Sequence, residues 1–408
     1  MKELFQLTSL TEARALLSEA FAPRREEETV GLTEACGRTL SRDILAGEDV
    51  PGFSRSTKDG YAVRAADTSG ASESLAGLLT VTGEVLMGED TPLSLGSGQA
   101  VQIATGGMLP QGADGVLMLE YVEELSDREI LVKRTVSPGE NVILKGEDTQ
   151  AGRLLARKGR TIRPQEAGLF ASQGILDIPV YKPLRVGILS TGNEVVDPAR
   201  TPAPGQVRDV NTVILRGMAE QSGAQVTGYG ICPDDYDELK RRVLQALSEN
   251  DLVLISGGSS VGTRDYCVGV LGEITGGPPL FHGIPVKPGK PALGAAKDGK
   301  VILGLPGHPV SAANVFSLLA RPLLEEGSGL FASRSVIRGV LGRNVPSESG
   351  RQDHIQVSVL EEDGRIRVVP LLGLSGMVRL LTEGDGEIVV PRGVEGLSAG
   401  TEVDVTIY

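Results

Sequence analysis

The stretch KPLRVGILSTGNEV, from Lys182 to Val195, decides the fold. Leu184, Val186, Ile188 and Leu189 form a nearly continuous apolar run, not an alternating one, which is the pattern of a parallel strand buried on both faces. Outward from it the chain alternates between a helical stretch over 213–221, the strand-like AQVTGYGI, a second helical stretch over 236–247, and the apolar strand DLVLIS at 251–256. That β-α-β-α-β order predicts an open α/β domain. Further on, GKPALGAAKDGKVILGLPGHPVSAANVFSLLARPLLEE adds a hairpin turning at Asp298-Gly299 and a helix from about Val310.

Before this unit, Ser9-Leu10-Thr11-Glu12 reads as a capping box, with Ala13, Leu16, Leu17 and Ala20 on one helical face and Pro23 as the stop. From about Ala46 to Lys145 short β-like runs, LLTVTGEVL, AVQIATGGMLP, GVLMLEYVEEL and EILVKRTV, are separated by turn residues, so a compact β domain is predicted there. Pro164 is placed to start another helix that closes near Gly174. After Gly327 the chain turns β-rich again to Tyr408, predicting a small barrel or sandwich.

Composition bounds the function. A chain of 408 residues exceeds one core, since cores tend to split beyond about 250–300 residues. Glycine, at 54 residues, is nearly twice the usual ~7%, which suits tight turns and backbone that approaches a ligand. Trp is absent and the net charge is −13, so neither base stacking nor a phosphate-backbone partner is favoured, and no nucleic acid is expected. Cys36, Cys232 and Cys267 are too far apart for a zinc knuckle or a disulfide framework. No apolar run approaches ~18 residues, so no membrane partner is expected and the protein reads as soluble and cytoplasmic.

The chemistry should sit beyond the carboxyl ends of the parallel strands. Ser190, Thr191, Gly192, Asn193 and Glu194 leave the first strand together, and Gly257-Gly258-Ser259-Ser260-Val261-Gly262 lead from another toward Asp265. Such glycine loops let backbone N–H groups face a phosphate, yet neither a Walker A pattern nor a strict G-x-G-x-x-G occurs. FHGIPVKPGKP holds Lys287 and Lys290 on stiff Pro/Gly backbone, which suits an oxyanion and equally an exposed turn. His308 reads as a loop or capping residue. Asp59, Asp148, Glu194, Asp234, Asp235 and Asp265 stand in turn or strand-end contexts and are available to a hard cation. With no G-x-S-x-G elbow, serine hydrolase chemistry is unsupported.

Nine blocks in this order resemble the molybdopterin molybdenumtransferase family, the MoeA type that includes the gephyrin E domain. They are VPGFSRSTKDGYAV, VQIATGGMLPQGADGVLMLE, PGENVILKGEDTQAG, GILSTGNEVV, GQVRDVNTVIL, PDDYDEL, ISGGSSVGTRDY, PVKPGKPALG and GLPGHPVSA, spanning about residues 50 to 315. The resemblance implies an α/β multidomain fold. Residues 1–50 and 138–178 would form an elongated linker and dimerisation domain, and 51–137 an inserted β domain. Residues 179–328 would form a three-layer α/β domain similar to molybdopterin adenylyltransferase, and 329–408 a small β-barrel. It also implies a homodimer with its site between subunits.

The implied reaction inserts molybdate into adenylylated molybdopterin, with Mg²⁺ assisting phosphoanhydride cleavage and release of AMP. The carried-over catalytic residues are Asp59, Thr105, Glu194 and Asp265, and the metal would be held by Asp59, Asp148, Glu194, Asp234 and Asp265. Substrate would be bound by Ser190, Thr191, Gly192, Gly257, Gly258, Ser259, Lys287, Lys290, Pro306, Pro309, Ser375 and Arg351. Asp59 would reach across the dimer cleft from a turn fixed by Ser56 and Thr57 and anchored by Tyr61. Transient contacts with molybdopterin adenylyltransferase and apo-molybdoenzymes are further implications. The sequence departs from the family pattern at Gly283 (often basic), His308 (commonly Asn) and Ile143 (frequently Arg), which leaves molybdenum against tungsten open. Two other readings also remain, an adenylyltransferase-type enzyme and a non-enzymatic scaffold.

Overall fold

The computed structural model describes residues 7–23, 25–257, 263–328, 335–362 and 364–408. Its centre is a six-stranded sheet in the order Gln225–Cys232, Arg185–Thr191, Leu252–Ser256, Lys300–Leu305, Leu293–Lys297, Phe281–His282. The first four strands run parallel, Leu293–Lys297 runs opposite to them, and Phe281–His282 pairs antiparallel with that strand. The apolar runs explain the layering. Val186, Ile188, Leu252 and Leu254 face one core, covered by the helix Asn211–Gln221 and the helical run from Pro309 to Ser328. Leu189, Val253 and Ile255 face the other, covered by Tyr236–Glu249 and Thr263–Thr275. The hairpin turns at Asp298 (φ 51°) and Gly299 (φ 78°), the left-handed pair that a two-residue turn requires.

The helix Leu10–Ala20 begins where the sequence predicts, with Ser9 Oγ accepting the Glu12 amide at 3.2 Å. Its Ala13 and Leu17 are fully buried in the first of these two cores, and Arg14 Nε donates to the Leu318 carbonyl at 2.8 Å. The chain then leaves. Strand Glu27–Gly31 pairs antiparallel with Asp177–Tyr181, and Ile44–Leu45 with Leu154–Ala156, around a core of Leu40, Ile162, Phe170 and Ile178. Helix Pro164–Ser172 opens on buried Glu166, which accepts from both Arg160 and Arg163. The Arg163 guanidinium, aided by Arg160, holds that carboxyl down at about 2.

Between these paired segments a second six-stranded sheet forms the β unit, ordered Gly115–Met118, Gly60–Val63, Gln99–Ile103, Gly77–Val85, Glu129–Val132, Val122–Ser126. The C-terminal region resolves the choice between barrel and sandwich. Strand Gln352–Glu362 pairs with Arg365–Pro370 on one side and Gly386–Val390 on the other, and Val336–Leu341 and Glu402–Ile407 complete the ring, so the sheet closes into a barrel. One short strand joins it from outside: Val286–Lys287, in the α/β domain, pairs parallel with Gln352–Asp353. Among the described residues, no helix is long and apolar enough to cross a membrane.

Candidate active site

The strand order of the α/β sheet reverses between Arg185–Thr191 and Leu252–Ser256, since the chain moves outward to Gln225–Cys232 on one side and to Lys300–Leu305 on the other. A crevice opens at such a switch point. Here the two loops leaving the strands touch: a Cβ on Gly257 would lie 2.2 Å from the Thr191 carbonyl oxygen, and Gly257 has φ +108°. Only glycine fits that position.

The crevice widens into a cleft of about 2010 Å³ walled by the α/β domain and the barrel region. Ser190, Thr191, Gly192, Glu194, Asp234 and Gly257 line the strand-end side. Lys287, Lys290, Pro306 and Pro309 line the adjoining loops, and Arg351 and Ser375 face them from the barrel side. Twelve carried-over residues therefore converge on one cleft. Gly258 and Ser259 lie outside the described residues. Asp265 stands not in a turn but in the first turn of helix Thr263–Thr275, and its side chain lies outside what is described.

Three residues are elsewhere. Asp59 and Thr105 meet on the β unit, where the Thr105 amide donates to Asp59 Oδ1 at 2.7 Å, and Thr105 lowers the Asp59 carboxyl below its usual range. Asp148 sits in an exposed turn, its amide donating to the Val50 carbonyl at 3.2 Å. None of the three lines the cleft of its own chain. The turn that carries Asp59 is braced: buried Ser56 Oγ accepts the Lys58 amide at 3.1 Å, and the Thr57 amide donates to the Asn141 carbonyl at 2.9 Å. Tyr61 is buried two residues on, its hydroxyl donating to Glu124 at 2.8 Å; burial, then Glu124, pushes that phenol up to about 12.

Within the cleft the electrostatics divide. At the strand ends, the Asn193 amide donates to Asp234 Oδ2 at 3.4 Å, while Asp234 Oδ1 is buried with no hydrogen bond from the described residues. Burial, with Glu194 nearby, raises the Asp234 carboxyl. Opposite, the KPGKP turn is clamped: Asn314 Nδ2 donates to the Pro288 carbonyl at 2.6 Å, and Gly289 (φ +124°) leaves no room for a Cβ beside Val315. Lys287 and Lys290 thus project from fixed backbone. Burial pushes the thiols of Cys232 and its neighbour Cys267 up to about 11, so both are protonated at neutral pH.

The family models account for most of the chain: the MoeA N-terminal region (domain I and II) matches residues 8–174, the "Probable molybdopterin binding domain" 187–326, and the MoeA C-terminal region (domain IV) 338–408. The chain belongs to the MoeA family. A MoeA relative, the molybdopterin molybdenumtransferase of Haemophilus influenzae, is 33% identical over 365 residues, covering 89% of each chain. A molybdopterin biosynthesis protein of Methanocaldococcus jannaschii is 36% identical over 397 residues, covering 95% of this chain and 94% of its own. The crystal structure of a molybdopterin biosynthesis MoeA protein from Pyrococcus horikoshii superposes with a TM-score of 0.85 at 36% identity, covering 98% of this chain and 99% of that one.

In this MoeA-type cleft the structure adds residues that were not singled out from the sequence. Buried Asp209 accepts the amide and hydroxyl of Thr212, and Thr212 Oγ1 lies 2.9 Å from Ser190 Oγ. Buried Asn211 donates to Ser256 Oγ and the Gly307 carbonyl, both at 2.8 Å, so it ties together the two strand-end loops. The signal was present in RDVNT, where three hydrogen-bonding side chains open an amphipathic helix. His308 occupies the position before helix Pro309–Val315, makes no capping bond, and instead meets Ser375.

Proposed function

We propose that this MoeA-family chain acts as a molybdopterin molybdenumtransferase in molybdenum cofactor biosynthesis, taking molybdate and adenylylated molybdopterin and releasing AMP and the loaded cofactor. The observation that carries this is the two-sided cleft. Cations held on stiff loops face carboxylates at strand ends, in a space far larger than the ~300–1,000 Å³ that an ordinary small ligand needs.

Lys287, Lys290 and Arg351 suit a dianionic oxyanion and a phosphate chain, and the strand-end loops offer backbone N–H groups at the switch point. Catalysis would rest on positioning and charge stabilisation, as in phosphoryl transfer generally. The donor set also fits Mg²⁺. Asp234 carries a buried oxygen without a donor, and Glu194 lines the same wall, so a hard cation would relieve the cost of keeping both ionised. Among the described residues no three His, Cys, Asp or Glu side chains form a ready-made cage, so phosphate and water would have to complete the ligand set. When bound, Mg²⁺ would neutralise charge building on the phosphoanhydride. Asp59, Thr105 and Asp148 would enter the site from a second subunit of a homodimer.

The test supplies purified protein with adenylylated molybdopterin, Mg²⁺ and molybdate, and follows AMP release together with formation of active cofactor. Loss of both in Asp59→Asn and in Glu194→Gln, with folding intact, is the expected result. Binding of the adenylylated pterin without AMP release, with molybdate or tungstate, would favour a carrier or scaffold. ATP-dependent adenylylation of the pterin would instead favour an adenylyltransferase.

A further inference from the structure

Asp353 is fully buried, yet it contacts cations from two domains. Its Oδ1 accepts from Arg351 Nε at 2.9 Å, within the barrel, and its Oδ2 lies 3.7 Å from Lys287 Nζ, on the α/β domain. Backbone geometry builds this arrangement, because Lys287 and Asp353 are register partners in the short parallel pairing that crosses the cleft wall. Neither cation shares the burial of the carboxylate. The Lys287 side chain is 54% exposed and that of Arg351 is 28% exposed, and both line the cleft.

A buried carboxylate persists only if it is paired. Here the pairing is uneven. Arg351 Nε donates a hydrogen bond to Oδ1, whereas Oδ2 accepts none from the described residues and the Lys287 contact is too long to be one. Glu348 also meets Arg351 Nη1 at 2.9 Å, but its side chain is 75% exposed and contributes little order. The carboxylate thus does not line the cleft while both of its cations do, and it sits where the two domains are joined by a strand pairing.

We infer that Asp353 is a positioning residue that holds Lys287 of the α/β domain and Arg351 of the barrel as one matched pair of oxyanion-binding cations. The inference rests on the reading of this cleft as one that takes an oxyanion. Two roles for Asp353 predict opposite signs. If it only neutralises the cations, removing its charge frees them and strengthens oxyanion binding. If it positions them, removal weakens binding.

The experiment titrates molybdate, and separately tungstate, into purified full-length protein by calorimetry, and measures KM for molybdate, KM for the adenylylated pterin and kcat. Asp353→Asn is expected to bind molybdate at least about tenfold more weakly and to raise its KM by a similar factor, with kcat nearly unchanged. Equal or tighter molybdate binding by Asp353→Asn would overturn the inference. Should that variant fail to fold, two others decide. Arg351→Lys keeps the charge but loses the Nε fork and is expected to bind about tenfold more weakly, whereas Glu348→Gln is expected to stay within about twofold. Wild-type-like binding by Arg351→Lys, or an equal loss in Glu348→Gln, would overturn the inference. Failure of the wild type to bind either oxyanion would sink the oxyanion reading itself, a result distinct from all of these.

Discussion

His308 Nδ1 lies 2.8 Å from Ser375 Oγ, and two residues on, the Val310 amide donates to the Ser375 carbonyl at 3.1 Å. The loop entering helix Pro309–Val315 is therefore joined to the C-terminal region by one side-chain and one backbone bond at a single residue. Ser375→Ala removes only the first. It is expected to raise KM for molybdate by about tenfold, the worth of one hydrogen bond, while unfolding free energy shifts by no more than about 0.5 kcal/mol. Steady-state kinetics alongside urea unfolding separates the two, and an unchanged KM with lowered stability would make Ser375 a strut.

Asp59 and Glu194 belong to different regions of one chain, and only Glu194 lines that chain's cleft. If a two-fold dimer completes each site, inactive Asp59→Asn and inactive Glu194→Gln complement each other. Randomly re-paired subunits are expected to recover about a quarter of wild-type activity, because half of the dimers are mixed and each has one intact site. Assaying the co-purified mixture checks this. Recovery near zero from verified mixed dimers would place both residues in one subunit's site.

Asp234 predicts a trade between stability and function. Its carboxyl is raised by burial, so between the ordinary value of 3.8 and its folded value the native state binds more protons than the unfolded chain. Its ionised form therefore costs stability above that window, and the cost fades as pH falls through it. Asp234→Asn is expected to be more stable than wild type at pH 7 in Mg²⁺-free buffer, with the gap closing toward pH 4, and to lose turnover. Urea unfolding across that pH range reads the gap; a constant gap would assign the effect to something other than titration.

Much of this architecture was legible because local chemistry and tertiary environment agree. The Leu184–Leu189 run is apolar on both faces because both faces are covered, Ser9 caps the helix its hydroxyl announces, and Asp298-Gly299 accept the φ angles the hairpin needs. The cleft-lining lysines, serines and glycines were readable for the same reason, since stiff or Cβ-free backbone leaves a mark on residue type. What stayed hidden was non-local. Val286–Lys287 carries no period that would reveal a partner strand at Gln352–Asp353, and a buried Asp353 looks like any turn aspartate until its neighbours are assembled. Asp209 and Asn211 are ordinary cap-like residues in sequence, and only the neighbouring Ser190, Ser256 and Gly307 make them part of the cleft wall.

The helix Leu10–Ala20 has a consequence for how the molecule is made. Its Ala13 and Leu17 are enclosed by residues made much later, such as Leu318 and Phe316, about three hundred positions on. Until the hairpin strands Leu293–Lys297 and Lys300–Leu305 and the later Phe316–Ala320 segment emerge, this short amphipathic helix lacks the surfaces that bury its apolar face and is marginal by itself. The core below the cleft is therefore closed by contacts of very high sequence separation, a topology that folds slowly and favours assembly after synthesis over domain-by-domain completion. A nascent chain halted before about residue 290 would expose that face, a ready target for a chaperone.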